Sequence, residues 1–410
     1  MRFDPNEIKK DFPILARTVN GNALVYLDSG ATSQKPKQVI EAISNYYETS
    51  NANVHRGAHT LGDESTQLLL ESREAVKRFV GAQRVEEVIF VRNATEAINL
   101  VAYSWGLDSL HKGDVILTTE MEHHANLVPW QQVAKRTGAR VELVRVTPDG
   151  LLDQEDYKDK LKMNNVKMVA LVHVSNALGT VNPVKEMVKQ AKKVGAVTLI
   201  DGAQAVPHMG VNVGEIGCDF YAFSGHKMLG PMGIGVLWGK REILGEMSPF
   251  LTGGGMISEV YPDYSTFAEL PDKFEAGTPN VAGAVGLSSA IDYLNQLGMG
   301  DVRKHDKEIV KYALDKLGRL QELRILGPKD SSLRSGSVSL EYNGVHAHDV
   351  ATILDSEGVA VRSGHHCTMV LHNKMGVVAS IRASFNVYTT TQDIDKLIVA
   401  LGKVKKTFGR

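Results

Sequence analysis

The chain has 410 residues, 43% of them hydrophobic and 23% charged, with a formal net charge of -1. That length suits a large domain joined to a smaller one, and that balance is the composition of a globular protein. Near-neutral charge offers no electrostatic attraction to nucleic acid or to an anionic membrane surface. No apolar run reaches the length needed to cross a bilayer.

The opening residues MRFDPNEIKKDFPIL carry acids and a proline where a signal peptide needs an apolar core, which gives the expectation of a cytoplasmic protein. Two cysteines, Cys218 and Cys367, are too few for a disulfide framework, so each is weighed as core filler, nucleophile or ligand.

In chain order, short β-rich runs alternate with helical stretches. Strands are expected at Val88–Arg92, Val115–Thr118, Val141–Val146, Met168–Val174, Val197–Asp201, Phe220–Phe223 and Gly233–Trp238. A helix is expected over Thr95–Trp105, and an amphipathic one over Val184–Val194, stopped by Gly195. Nearly continuous apolar strands separated by helices indicate an α/β fold with a mostly parallel sheet covered on both faces. Ligands of such sheets sit beyond the carboxyl ends of the strands.

After about Val285 the pattern changes. Two long helical stretches lead to GSVSLEYNG, a helix at Ala347–Glu357, the run VAVRSGHHC and a closing helix. We expect a large α/β domain over 22–285 and a small α+β domain over 286–410, joined by 1–21.

Chemistry concentrates in VTLIDGAQ and DFYAFSGHKMLGP. Asp201 ends a buried strand, where an ionised carboxylate is costly unless a cation pairs with it. A pyridinium nitrogen is such a cation. Lys227 follows another strand in a polar turn, where an amine is placed to form a Schiff base, and Ser224 and His226 offer donors to a phosphate. Taken singly, Asp201 reads as a helix cap and Lys227 as a solvated lysine. Their neighbouring strand ends favour the joint reading.

Ala94, Thr95 and Glu96 open a helix after VIFVR, and helix N-termini bind phosphate, although an ordinary capped helix has the same spelling. In TEMEHHANLVPW, His123 and His124 follow a strand end. One imidazole there is suited to stack on a flat ring and relay protons, or simply to hydrogen-bond within a loop. Cys218 begins an apolar strand and is read as a small buried hydrophobe.

The segments VTLIDGAQ, FSGHKMLGPMGIG, MEHHANLVPWQ, HVSNALGT, FEAGTPN and VRSGHHC, with YLDSGATSQKP, VHRGAHTL and RASFNVY, resemble the class V aminotransferase superfamily. Within it they resemble the SufS-type (group II) cysteine desulfurases, nearly end to end. The resemblance implies a fold type I pyridoxal-phosphate transferase with a mostly parallel seven-stranded sheet. It makes Lys227 the Schiff-base lysine, Asp201 the partner of the pyridinium nitrogen, Gln204 a donor to the ring hydroxyl and His123 the stacking group.

It further implies that Ala94, Thr95, Ser224 and His226 hold the phosphate of pyridoxal 5'-phosphate, with Thr278 reaching in from the second subunit of a homodimer. Asn176 and Arg382 would bind the carboxylate of L-cysteine, with Arg362 close by and His55 and Arg56 in the substrate region. Cys367 would accept the sulfur, leaving alanine. Arg362, His365 and His366 bring positive or polar character that would favour its thiolate.

The implied partner is a sulfur acceptor, a SufE- or SufU-like shuttle or a cluster scaffold, serving iron–sulfur cluster assembly. Leu229, Met232, Ser363 and Thr368 depart from the usual spelling around the two central residues. Two other readings stand beside this one. A selenocysteine lyase or another lyase or transaminase of the superfamily would keep the fold and cofactor. A metal-binding role for His365, His366 and Cys367 is disfavoured, because adjacent histidines do not easily face one ion and no second Cys/His cluster is present.

Overall fold

The computed structural model describes residues 3–55 and 58–409. Arg56, expected near the substrate, lies outside the described residues. The central sheet has seven strands: β1 (Val88–Val91), β2 (Val115–Thr119), β3 (Arg140–Val144), β4 (Val166–Val172), β5 (Val197–Asp201), β6 (Phe220–Ser224) and β7 (Gly235–Gly239). Their order is β1-β7-β6-β5-β4-β2-β3. Strands β2 to β6 pair in parallel, while β7 runs antiparallel to both of its neighbours.

Every residue of β1, β2, β6 and β7 is buried, which accounts for their unbroken apolar spelling. The period of two sorts alternate side chains into separate cores on the two faces. Val88, Phe90, Val115 and Leu117 enter one, and Ile89, Val91 and Ile116 enter the other.

Strand ends shift by up to two residues from expectation. The helix expected over Thr95–Trp105 is α-helical only from Ala94 to Leu100 and widens into a π-helical turn over Val101–Gly106. Both forms bury the same apolar spacing, so periodicity cannot tell them apart.

A second sheet consists of β8 (Leu323–Leu326), β9 (Ser337–Tyr342), β10 (Arg362–Gly364) and β11 (Ser380–Ser384), antiparallel in the order β8-β9-β11-β10. Ile309, Leu340, Leu354, Ile381 and Leu397 form its core with helices Met299–Leu317, Ala347–Ser356 and Thr391–Thr407. The N-terminal segment is stitched to this sheet. Val25 and Tyr26 pair in parallel with Val359 and Ala360, and the Ser384 N–H donates to the Leu27 carbonyl at 2.7 Å. Asp28 is thereby delivered beside β10 and β11.

Candidate active site

The carboxyl ends of β1, β4, β5 and β6 open into one cavity of about 310 Å³. Asp201 is the last residue of β5 and 4% exposed. Its Oδ1 accepts from the Ala203 N–H at 3.0 Å, the one hydrogen bond of its carboxyl group among the described residues. Burial raises its pKa, opposed by that N–H and by Lys227. Gly202 between them has to lack a side chain, because a Cβ there would lie 2.0 Å from the Tyr221 ring.

Lys227 ends the 3-10 turn Gly225–Lys227 that follows β6. The turn is closed by the N–H groups of Met228 and Gly230, both donating to the Gly225 carbonyl at 3.0 Å. Leu229, at φ 70, completes the reversal and donates its N–H to Ser33 Oγ at 2.8 Å. Burial pushes the Lys227 amine below its ordinary value and Arg382 adds to this, while Asp201 and Cys367 oppose. A lysine so held is closer to its neutral, nucleophilic form.

His123 lies beyond β2, and its Nδ1 accepts from the Ala125 N–H at 3.0 Å. The proton of the neutral ring therefore sits on Nε2. Burial first, then Lys227, His124 and Arg382, lowers its pKa to about 3, so the ring is a neutral donor at pH 7. His123 is followed by a tight loop anchored through Glu122. That buried carboxyl accepts from Thr119 Oγ1 at 2.8 Å, the Val172 N–H at 2.9 Å and Asn126 Nδ2 at 2.7 Å, and burial raises its pKa to about 8.

Directly after the end of β1, Ala94 and Thr95 begin their helix, and the Ala94 N–H donates to Ser224 Oγ, at the end of β6, at 2.8 Å. His226 lies beside them, its pKa lowered to about 4 by burial and then Lys227 and Lys35. Gln204 lines the same cavity and donates from Nε2 to the Gly30 carbonyl at 2.7 Å.

The remaining wall comes from the second sheet. Arg382 of β11 is 2% exposed and donates from Nη1 to the Asn176 carbonyl at 3.0 Å and from Nη2 to Asp28 Oδ1 at 3.2 Å. Arg362 of β10 donates from Nη2 to Asp28 Oδ2 at 2.9 Å. Among the described residues, Arg382 Nε and Asn176 Oδ1 are buried without a partner, a donor and an acceptor on two residues that line the cavity. Asn176 Nδ2 meanwhile holds the His366 carbonyl at 2.6 Å.

Cys367 is exposed and lines the cavity's edge, whereas Cys218 is fully buried, as its apolar setting suggested. The His124 N–H grips the Cys367 carbonyl at 2.8 Å. His366 brings no positive charge to the thiol: burial, then Arg382, His372 and Arg362, lower its pKa to about 2.

Lys227, Asp201, Gln204, His123, Ala94, Thr95, Ser224, His226, Asn176, Arg362, Arg382 and Cys367 thus share one cavity. Two expected residues stand outside it. His55 is exposed on a loop, its N–H bonded to Thr66 Oγ1 at 3.0 Å. Thr278 is exposed beside a separate depression lined by Arg92, Phe250 and Asn280. Asp28 and Glu122 were not singled out from sequence. An acid closing the run VYLD in a chain with two carboxylate-binding arginines was the available signal for Asp28.

A cavity that gathers the buried Asp201 carboxyl, Lys227, the N–H and hydroxyl groups of Ala94, Thr95 and Ser224 and the guanidinium groups of Arg362 and Arg382 suits a flat, cationic, phosphorylated ring. Lys227 would hold its aldehyde, Asp201 its ring nitrogen, and Ala94, Thr95, Ser224 and His226 its phosphate. The fold and site are those of a pyridoxal-phosphate-dependent enzyme, and pyridoxal 5'-phosphate is the cofactor.

Residues 25–397 match the family described as aminotransferase class V. The chain is 52% identical over 407 residues to a probable cysteine desulfurase of Halalkalibacterium halodurans, covering 99% of each chain. It is 49% identical over 418 residues to a cysteine desulfurase of Haloferax volcanii, covering 99% of this chain and 98% of the other. Among solved structures, the apo cysteine desulfurase of Thermococcus onnurineus NA1 superposes with a TM-score of 0.94 at 41% identity over 99% of both chains. The Escherichia coli cysteine desulfurase CsdA gives 0.91 at 36% identity, covering 99% of this chain and 100% of that one. The chain belongs to the cysteine desulfurases of the class V aminotransferase family.

Proposed function

We propose that the chain converts L-cysteine to L-alanine, with Lys227 carrying the cofactor and Cys367 receiving the sulfur. The observation that carries this reading is the single cavity that gathers Lys227, Asp201, Arg382 and Cys367. Pyridoxal phosphate supplies the electron sink when bound. Arg382, through its open Nε, and Asn176, through the second N–H of its Nδ2, take the substrate carboxylate.

The Lys227 amine, held below its ordinary pKa, removes and returns protons at the substrate Cα. His123 presents an Nε2–H to the cavity and donates. Cys367, as thiolate, attacks the substrate sulfur: an S–S bond forms, the C–S bond breaks, and the carbon recovers a proton. Cysteine and one thiol give alanine and one persulfide, with no outside oxidant.

Finer points belong to the same reading. The chain is a SufS-like, cytoplasmic homodimer, and the exposure of Thr278 and His55 outside their own cavity supports completion of each site by a second copy. The persulfide passes to an acceptor protein that feeds iron–sulfur cluster assembly. Among the described residues no helix is long and apolar enough to cross a membrane.

The test is alanine formed from L-cysteine by the cofactor-loaded protein beside Lys227→Ala and Cys367→Ala. Alanine from the wild type alone is the expected result. Equal turnover by Cys367→Ala would remove its assigned role. A monomeric mass by light scattering, with activity kept on dilution, would remove the dimer.

A further inference from the structure

A chain of hydrogen bonds runs behind Cys367. His372 Nδ1 lies 3.0 Å from the Thr368 carbonyl oxygen. A carbonyl only accepts, so this nitrogen carries the ring proton. His372 Nε2 is then a lone pair, 2.9 Å from Ser380 Oγ, and the hydroxyl donates to it. The same hydroxyl lies 2.9 Å from His366 Nε2 and accepts from it. His366 Nδ1 is left bare, buried and without a partner among the described residues.

All four side chains are buried: Thr368 and Ser380 at 0% exposure, His372 at 3% and His366 at 7%. The chain begins and ends on the two residues that flank Cys367. His366 and Cys367 both sit in the left-handed region, at φ 50 and φ 57. Two consecutive residues with a Cβ persist there only where their surroundings over-determine them. Ser380 opens β11, and two residues further on that strand carries Arg382.

We propose that Thr368, His372, Ser380 and His366 form a positioning relay that holds the Cys367 loop in its left-handed conformation at the cavity edge. The relay governs sulfur transfer to Cys367 and leaves cofactor and substrate binding alone. This rests on Cys367 being the sulfur acceptor.

The experiment compares cofactor-loaded wild type, Ser380→Ala, His372→Phe and Cys367→Ala for alanine formation from L-cysteine. Both relay variants are expected to lose about tenfold or more in kcat, with KM within about twofold and unchanged absorbance of bound cofactor. Ring-¹⁵N-histidine spectra of the unmutated protein give a second readout: His372 protonated at Nδ1 and His366 at Nε2. Wild-type kcat in both variants, or His372 protonated at Nε2 with a bare Nδ1, would overturn the relay. Full activity in Cys367→Ala would instead overturn the acceptor assignment beneath it.

Discussion

Asp28 Oδ1 lies 3.2 Å from Arg382 Nη2, so the guanidinium assigned to the substrate is already oriented by a carboxylate of the N-terminal segment. The pairing fixes the plane of the fork and leaves Nε open. Arg362 shares the same acid from the neighbouring strand. A lysine keeps the charge at this position and loses the planar fork.

Arg382→Lys is therefore expected to raise KM for L-cysteine by about 10- to 100-fold, the worth of one charged hydrogen bond, with a smaller change in kcat. Steady-state kinetics with alanine detection measure it. A KM within about twofold of wild type would place the substrate carboxylate elsewhere.

Ser224 Oγ receives the Ala94 N–H at the start of the helix facing the cavity. Ser224→Ala strands that donor and removes a hydroxyl from the phosphate end, at a cost of about 1–3 kcal/mol. Pyridoxal phosphate should dissociate at least about tenfold more readily on dialysis, followed by loss of its absorbance. Retention equal to wild type would take Ser224 out of the phosphate site.

The buried histidines and Glu122 set opposite slopes of stability against pH. Burial lowers the pKa of His173 to about 4 and, with Arg382, that of His366 to about 2. The unfolded chain binds more protons at these residues below pH 6.5, so stability falls as pH drops, by about 2 kcal/mol for each between pH 6.5 and 5. Glu122, raised to about 8, works the other way: the folded state holds its proton, and stability falls as pH rises from about 4.5 to 8. Denaturant titrations of the apoprotein should show a maximum near neutrality. Glu122→Gln should abolish its share of the fall between pH 6.5 and 8, and an unchanged alkaline limb would refute the assignment.

Gly202→Ala tests the packing beneath Asp201. A methyl 2.0 Å from the Tyr221 ring must move the strand-end loop or the ring. We expect a loss of about 3 kcal/mol or more and weakened cofactor binding, read by thermal melting and absorbance. A melting temperature equal to wild type would show that the loop yields freely.

All of the strands β1 to β7 except β3 were legible because they are buried over most of their length, and runs rich in Val, Ile, Leu and Phe leave little other interpretation. Asp201, Ser224 and Lys227 were legible for a related reason: polar residues closing such runs stand where a parallel sheet opens. The π-helical turn at Val101–Gly106 was not, since one apolar spacing serves both helical forms. Whether His366 would bring positive or merely polar character was not legible either, because its burial, which keeps the ring neutral, is a property of the closed loop.

By itself the sequence determined the α/β architecture, which depends on local pattern, and singled out Lys227, Asp201 and Cys367 as candidates whose proposed roles come from the family resemblance. Tertiary structure decided what those groups touch. Asp28 is separated from Arg382 by 354 residues, and Asn176 from His366 by 190. Which acid orients the arginine, which amide braces the thiol loop and which histidine carries its proton at Nδ1 follow from packing two sheets against one cavity. No local spacing encodes contacts of that range.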